Sequence, residues 1–214
     1  MPDESKIYKD TVDLIRNRFQ KLGQSDSEKI FDAILKFIAD SEEQKNLNVI
    51  LQDAARMIHR IFSFNEVTIG LRSPKDGLYR YEAIVGHTRE AEQMMRDFAF
   101  TRAEMCDCKD YPGISVNKYT EFSLAETKPY KEGAEEKMFN RPLMLGKGRT
   151  SPTKMIEGDY VDVYIFGEKD DMIGWIEFSG PRDGNIPSRE TVKWIELTSV
   201  ILGVIMRRGD FAAV

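Results

Sequence analysis

Aromatic and acidic side chains alternate with apolar ones in the segment from Tyr160 to Phe166. Successive side chains of a β-strand point to opposite faces of the sheet. Tyr160, Asp162 and Tyr164 therefore share one face. The opposite face takes the β-branched residues between them, which are Val161, Val163 and Ile165. The segment predicts a strand whose Val161 face packs in the core and whose Asp162 face carries the candidate functional residues.

The segment from Met172 to Phe178 predicts the return strand of a hairpin, because a short connection containing Gly167 precedes it. With a four-residue loop, Trp175 and Glu177 join the face of Asp162, and Asp162 and Glu177 lie nearly opposite each other. Such a pairing is costly unless a cation or a proton intervenes. We interpret this face as the floor of a pocket for a ligand with a ring and a positive or hydrogen-donating group. The alternative is a solvent-exposed sheet face, and a shift of one residue would move Trp175 and Glu177 to the other side.

Two thiols, Cys106 and Cys108, flank Asp107 in an irregular stretch of sequence. They are too few for a tetrahedral zinc site by themselves, and His59 and His87 are predicted on other elements. An exposed thiol of low pKa beside a second thiol can be oxidised reversibly, which would place both cysteines in a pocket with redox chemistry. The alternative is two loop cysteines with no special role.

A basic loop, Gly146 to Thr150, resembles a phosphate cradle but lacks the glycine and lysine spacing of a P-loop. A flexible basic loop is the favoured interpretation, with Arg149 able to reach an anionic ligand. The sequence contains no Ser-His-Asp set, no paired catalytic carboxylates and no Rossmann glycine pattern, and this argues against an enzyme. It identifies no cofactor and no metal site.

Composition excludes several classes of function. The chain has 214 residues, of which 41% are hydrophobic and 31% charged, and its net charge is -5. An acidic chain is poorly suited to gripping the nucleic-acid backbone, so no nucleic-acid partner is expected. No apolar run reaches the roughly 18 to 20 residues that span a bilayer. The polar N-terminus lacks a signal-peptide region, and a cytoplasmic location away from the membrane is therefore predicted.

The elements that position these residues follow from periodicity and capping signals. Helices are predicted at 6–22, from a capping box at Ser25 to about Asp40, from a cap at Ser41 to Ile61, after Thr88, at 132–139, and from Pro187 to about Arg207. Strands are predicted at 66–72, 78–85, 115–121, 160–166 and 172–178. Residues 1–43 are interpreted as an N-terminal helical extension and residues 44–214 as the domain. The last helix carries a second apolar stripe, formed by Trp194, Leu197, Ile201 and Ile205, which predicts a homodimer.

The order of elements from residue 44 to 207, with the phrase Gly174-Trp175-Ile176-Glu177-Phe178 before the closing helix, resembles a GAF domain. The resemblance implies an α+β fold with a central antiparallel sheet of about five or six strands, terminal helices packed on one face and a ligand pocket on the other. It also implies a sensor that binds a small molecule, dimerises through its terminal helices and acts on a signalling protein partner.

The sequence departs from two known groups of GAF domains, and two other functions remain as alternatives to a sensor. Cyclic-nucleotide-binding GAF domains carry an Asn-Lys pair after the last strand, where this chain has Ser179-Gly180, and only the acidic character of Glu190 is retained. Cyclic-nucleotide binding is therefore not expected. Free methionine-(R)-sulfoxide reductases also use this fold and work through cysteines, but at a spacing different from that of Cys106 and Cys108. A thiol-dependent reductase and a dimerisation module without a ligand are the alternatives to a sensor.

Overall fold

The computed structural model describes residues 25–44, 46–106, 111–133 and 135–209. The helix predicted over residues 6–22 lies outside the described residues. So do Cys108 and the side chain of Cys106.

Two helices precede the first strand, and their caps differ in part from the prediction. Helix α1 spans Asp26–Glu43 and begins with the predicted capping box, in which Glu28 N–H donates to Ser25 Oγ and Ser25 N–H donates to Glu28 Oε2. Helix α2 spans Leu47–Ile61 and is capped by Asn46. The predicted cap at Ser41 is wrong, because α1 continues past Asp40 and Ser41 Oγ donates to the Ile38 carbonyl within it, 2.7 Å away. 

Six strands form one antiparallel sheet in the order β2-β1-β6-β5-β4-β3. Their bounds are β1 Phe64–Arg72, β2 Tyr79–Val85, β3 Gly113–Ser115, β4 Thr120–Ser123, β5 Tyr160–Phe166 and β6 Met172–Pro181. The single strand predicted at 115–121 is instead the hairpin of β3 and β4. Its turn is set by Asn117, whose Oδ1 accepts hydrogen bonds from the N–H groups of Tyr119 and Thr120 at 2.7 and 3.2 Å.

The remaining helices lie between β2 and β3 and after β6. Helix α3 (Arg89–Asp97) is capped by Thr88, as predicted, and the short α4 spans Arg102–Cys106. Helix α5 (Arg189–Arg208) is capped by Ser188 and closes the domain. Single turns of 3-10 helix are found at Ala125–Thr127, Glu135–Met138, Pro142–Met144 and Glu168–Asp170. The helix predicted over 132–139 is reduced to the second of these turns.

One face of the sheet packs against α1, α2 and α5 and forms the main hydrophobic core. Val161, Val163 and Ile165 of β5 are completely buried there, as their alternation predicted. Ile34 and Phe37 of α1 belong to the same core, so this helix packs with the domain although it precedes the predicted boundary at residue 44.

The opposite face carries a second cluster of buried aromatic and methionine side chains, which includes Tyr79, Tyr81, Phe100 and Trp175. The segments between β2 and β3 and between β4 and β5 lie over this face. The predicted α+β class, with terminal helices on one side of a central antiparallel sheet, is confirmed. Within the described residues, every helix is too short or too polar to cross a membrane.

Candidate functional site

Three carboxylates form a row across the face of the sheet opposite α1, α2 and α5. The register pairs Glu121 of β4 with Asp162 of β5, and Asp162 with Glu177 of β6. Residues directly opposite each other in an antiparallel pair project on the same face, with β-carbons about 4.5–5.5 Å apart. Thr68 of β1 lies opposite Glu177 and extends the row. We refer to Glu121, Asp162 and Glu177 as the acidic row.

Burial makes the centre of this row electrostatically unfavourable. Asp162 Oδ1 is buried without a hydrogen-bond partner among the described residues. Burial raises the pKa of Asp162 well above its usual value, and the charges of Glu177 and Glu121 raise this pKa further. Burial also raises the pKa of Glu177 to about 7, although hydrogen bonds from the Tyr81 and Trp175 side chains oppose this shift. Near neutral pH, the two carboxyls therefore retain a proton between them.

A cavity of about 370 Å³ lies over the acidic row, and we call it the acidic cavity. Its walls are largely aromatic, and Trp175, only 2% exposed, forms one of them. The Trp175 ring lies 5.2 Å from that of Tyr81 and 6.2 Å from that of Phe100, both in edge-to-face contact. A mostly apolar cavity with a few convergent polar groups is the usual form of a small-molecule site.

The basic side chains that line the acidic cavity are paired with carboxylates at its rim. Arg102 of α4 and Arg72 of β1 both bind Asp171, and this lowers the pKa of the Asp171 carboxyl to about 2, with Arg72 the larger cause. Lys118, in the turn between β3 and β4, pairs with Asp170. These cations therefore neutralise rim acids, and among the described residues that line the cavity no basic side chain is paired with the acidic row.

A second cavity, of about 330 Å³, adjoins the first, and we call it the loop cavity because residues 138–141 and 155–159 line it. The two cavities share Tyr81, Phe100, Tyr111, Tyr160 and Glu177. Acids in the loop cavity have partners. Glu66 accepts from Asn140 Nδ2 and Ser179 Oγ, each at 2.7 Å, and Glu157 pairs with Arg141 at 2.8 Å.

The contrast between the cavities indicates where a ligand would gain most. A buried polar group without a partner costs free energy that a bound ligand can recover. In the acidic cavity, Asp162 Oδ1 is such a group on the floor. In the loop cavity, both ring nitrogens of His87 are also buried without a partner among the described residues, but burial lowers the pKa of His87 to about 4, so this unpartnered group is a neutral imidazole and not a carboxyl. The acidic cavity is therefore the stronger candidate site.

The structure brings together five of the residues that the sequence singled out. Tyr160, Asp162, Tyr164, Trp175 and Glu177 all line the acidic cavity. Asp162 and Glu177 are direct cross-strand partners, as the hairpin alternation predicted. The alternative of a solvent-exposed face does not hold, because Trp175 and Asp162 Oδ1 are buried.

Arg149 does not line either cavity. Its guanidinium donates to Asp159 Oδ2 and Glu126 Oε2, each at 2.8 Å, and its side chain is 13% exposed. Asp159 lines the loop cavity, so Arg149 supports that wall from behind. The loop that the sequence predicted to be flexible is thus anchored by the ion pairs of Arg149 with Asp159 and Glu126, and the role of Arg149 in this structure is to stabilise the fold.

Cys106 ends α4, directly after Met105, which lines the acidic cavity. With the Cys106 side chain and Cys108 outside the described residues, a ligand-binding or redox role for the two thiols stays a prediction. In the described part of the chain, no three His, Cys, Asp or Glu side chains are grouped closely enough to hold a metal ion.

Sequence reasoning missed several residues of this site, among them Tyr81 and Glu121. The Tyr81 hydroxyl donates to Glu177 Oε2 at 3.3 Å. Tyr81 lies in β2 and reaches Glu177 only because β6, which is distant in the chain, pairs with β1. Glu121 faces Asp162 only through the pairing of β4 with the distant β5. The signal in the sequence was the Tyr79-Arg80-Tyr81 alternation in β2, which places two phenol rings on one face.

This arrangement is the fold of a GAF domain. The GAF domain of a phosphoenolpyruvate-protein phosphotransferase from Coxiella burnetii matches with a TM-score of 0.56 and 11% identity, over 85% of this chain and 95% of that one. The phycoerythrobilin-bound GAF domain of a cyanobacterial phytochrome matches with a TM-score of 0.54 and 14% identity, over 87% and 96%. A methyl-accepting chemotaxis protein, residues 122 to 287, matches with a TM-score of 0.52 and 13% identity, over 83% and 97%. No protein-family model and no curated protein sequence matches the chain.

Proposed function

We propose that this chain is a sensor domain that binds a small organic molecule in the acidic cavity and signals through a homodimer formed by its terminal helices. The observation that carries the proposal is the buried, unpartnered Asp162 Oδ1 on the floor of an aromatic cavity of about 370 Å³. This volume lies within the range of small-molecule sites, about 300–1,000 Å³.

The structural neighbours support a sensory role by analogy of fold. One is a phytochrome GAF domain with bound phycoerythrobilin, and another is the GAF domain of a sensor histidine kinase from Pseudomonas syringae. Fold alone does not determine function. The proposal therefore depends on the acidic cavity of this chain and not on the ligand sites of the neighbouring structures. A signalling protein that receives the output is the partner that such a role requires, and a cytoplasmic location stays a prediction from the sequence.

The terminal helices offer the surface for dimerisation. Leu197 and Val200 of α5 are each 41% exposed, and Phe31 and Leu35 of α1 are 51% and 48% exposed. An apolar groove between the two helices is lined by Ile38, Val200, Ile201 and Val204. Exposed apolar patches on helices mark interaction sites, and twofold dimers are the commonest assemblies of identical chains. The proposed occupant of this groove is therefore a second copy of the chain.

Mass spectrometry of denatured protein, purified without added ligand, tests the binding function. We expect a small molecule to be released from the wild type and its amount to fall at least tenfold in Tyr164→Ala, because Tyr164 lines the acidic cavity. Tyr130→Ala is the matched control, since it removes a phenol ring from the loop cavity only. Loss from Tyr130→Ala with retention by Tyr164→Ala would reject the assignment of the acidic cavity. If nothing is released, a small-molecule library screened by thermal shift decides whether the protein binds a ligand.

A further inference from the structure

Within the described residues, the side-chain hydrogen bonds to Glu177 come from neutral donors, Tyr81 and Trp175. Tyr81 donates to Glu177, and no hydrogen bond reaches Asp162 Oδ1 from the described residues. No nearby cation is among the main causes of the pKa shifts of Asp162 and Glu177. Buried charges in proteins are normally paired, so an uncompensated pair facing a cavity requires an explanation.

Other acids around the cavity add negative potential. The further carboxylates that face the pair are Glu66 of β1, Glu104 of α4, Glu121 of β4 and Glu135 of the turn at Glu135–Met138. Glu135 accepts from the Tyr111 hydroxyl and from the Lys131 backbone N–H, each at 2.7 Å, which are again neutral donors. Glu104 is paired with Lys131. The potential inside the cavity is therefore negative.

The remaining titratable groups do not reverse that sign. Four phenols face the pair, namely Tyr81, Tyr111, Tyr160 and Tyr164. Burial raises the pKa of Tyr81 and of Tyr160 well above the ordinary value, so both stay neutral. The cations on the wall, Arg102 and Lys118, are paired with Asp171 and Asp170 at the rim.

The wall chemistry favours one class of ligand. Aromatic rings attract cations through their electron-rich faces, most strongly when water is excluded. Trp175, Tyr81, Phe100 and Tyr111 surround the carboxylates and would also cover the apolar part of a ligand. A hydrogen-bond donor on the ligand, such as an N–H group, would satisfy Asp162 Oδ1.

We infer that the ligand of the acidic cavity is a small organic cation with N–H donors, a protonated amine or an amidine, whose charged group is held by Asp162 and Glu177. This inference rests on the proposed function and names the ligand class of the same site. Without the cation, the two carboxyls share one proton. On binding, that proton leaves to solvent and the positive charge of the ligand takes its place, so the charge of the site is conserved.

This exchange predicts a pH dependence of defined sign. An alkylammonium group has an ordinary pKa of about 10, as in lysine, so the ligand stays charged across the neutral range. Proton loss from the pair is complete only above the pKa of Glu177, about 7. Affinity should therefore rise from pH 6 to pH 8, and binding at pH 6 should release protons to the solvent.

Matched sets of probes with the same ring and different charge test the inference. The sets are 2-phenylethylamine, 2-phenylethanol and phenylacetate, and benzamidine, benzamide and benzoate, each examined by calorimetry at pH 6 and pH 8 in two buffers of different ionisation enthalpy. We expect the amine or the amidine to bind at least tenfold more tightly than its neutral and anionic partners. Asp162→Asn with Glu177→Gln should abolish this preference, and Glu168→Gln, in the exposed turn between β5 and β6, should retain it.

The probe experiments test the cationic ligand, and the mass spectrometry tests the sensor function, so the two claims can fail separately. Failure of both the amine and the amidine to bind, equal binding of the neutral or anionic probe, or an affinity independent of pH overturns the cationic ligand. If a neutral or anionic molecule is nevertheless released from the wild type and not from Tyr164→Ala, the sensor function stands without this inference. If no molecule is released and no library compound binds, the sensor function itself fails.

Discussion

Gly70 lies directly against the indole ring of Trp175. The two residues are cross-strand partners in β1 and β6, and a β-carbon at position 70 would lie 2.0 Å from Trp175 Cη2. The absence of a side chain at Gly70 is what lets this ring lie flat on the sheet and form a wall of the acidic cavity. The cavity thus depends on a residue that contributes no chemistry to it.

Replacing Gly70 with alanine should displace the Trp175 ring. Overpacking of this kind costs about 1–3 kcal/mol, and we expect the free energy of unfolding in urea to fall by that amount. The intrinsic fluorescence should change too, since Trp175 is one of two tryptophans. Gly148→Ala is the matched control, because a β-carbon there meets nothing within 4 Å. Equal stability of the two variants would contradict the role given to Gly70.

Arg149→Met should destabilise the fold more than the loss of an ordinary surface ion pair. It leaves Asp159, whose side chain is 1% exposed, without its cation, and removal of one partner from a buried pair costs about 3–5 kcal/mol. Lys128→Met provides the comparison, because Lys128 and Glu132 are both well exposed. We expect no measurable change for Lys128→Met in the same urea titration. A small effect of Arg149→Met would mean that solvent reaches Asp159.

The contribution of Glu177 to stability should decrease as pH rises through the range in which this carboxyl ionises. The ordinary pKa of a glutamate is 4.5 and that of Glu177 is about 7, so the folded protein holds more protons than the unfolded chain between these values. The free energy of unfolding therefore falls from pH 4.5 to about 7 and no longer changes through this group above it. At about 1.4 kcal/mol per pKa unit, the loss is on the order of 3 kcal/mol.

The variant Glu177→Gln isolates this contribution, since it is neutral at every pH. Its urea denaturation at pH 5 and pH 8 should show a smaller loss than the wild type, and it should be the more stable protein at pH 8. Glu168→Gln, in the exposed turn before β6, should retain the wild-type pH dependence. A wild type that is more stable at pH 8 than at pH 5, by an amount that Glu177→Gln does not alter, would argue against a desolvated carboxyl pair.

Lysine substitutions on α5 test the dimer. A charge at Leu197 or Val200, each 41% exposed, would have to be desolvated in an interface between the terminal helices. We expect light scattering after size exclusion to give a dimer for the wild type and a monomer for Leu197→Lys with Val200→Lys. Leu143→Lys is the control, because Leu143 is 94% exposed on a loop between β4 and β5. A wild-type monomer, or a dimer that survives both substitutions, rejects the α5 interface.

The parts of the fold that could be predicted from the sequence are those specified by local chemistry. The capping box of Ser25 and Glu28 and the cap of Thr88 appear where the sequence placed them. The alternation of β5 also assigned its two faces correctly, because side-chain direction in a strand has a period of two. These features involve residues close together in the chain.

Features that depend on distant partners could not be predicted in the same way. The hydrogen bond between Tyr81 and Glu177 joins residues 96 positions apart, and Glu121 enters the acidic row only through the pairing of β4 with β5. The engagement of Arg149 with Asp159 was likewise hidden, because a basic residue in a glycine-containing loop is equally suited to a ligand and to an ion pair. Ser41 was misread as a cap because its hydroxyl can also bond within a helix.

The acidic row also constrains how the sheet can assemble. A slip of one residue along β5 would turn Asp162 into the core packed by α1, α2 and α5 and would expose Val161 and Val163 to the cavity. The same slip of β4 or β6 would bury Glu121 or Glu177 among aliphatic side chains. Each carboxylate therefore penalises the incorrect alignment of its own strand. The three carboxylates repel one another in the correct sheet, but a slip of one residue in either direction would bury a carboxylate in the aliphatic core at a greater cost. The acidic row therefore favours the correct register of the sheet.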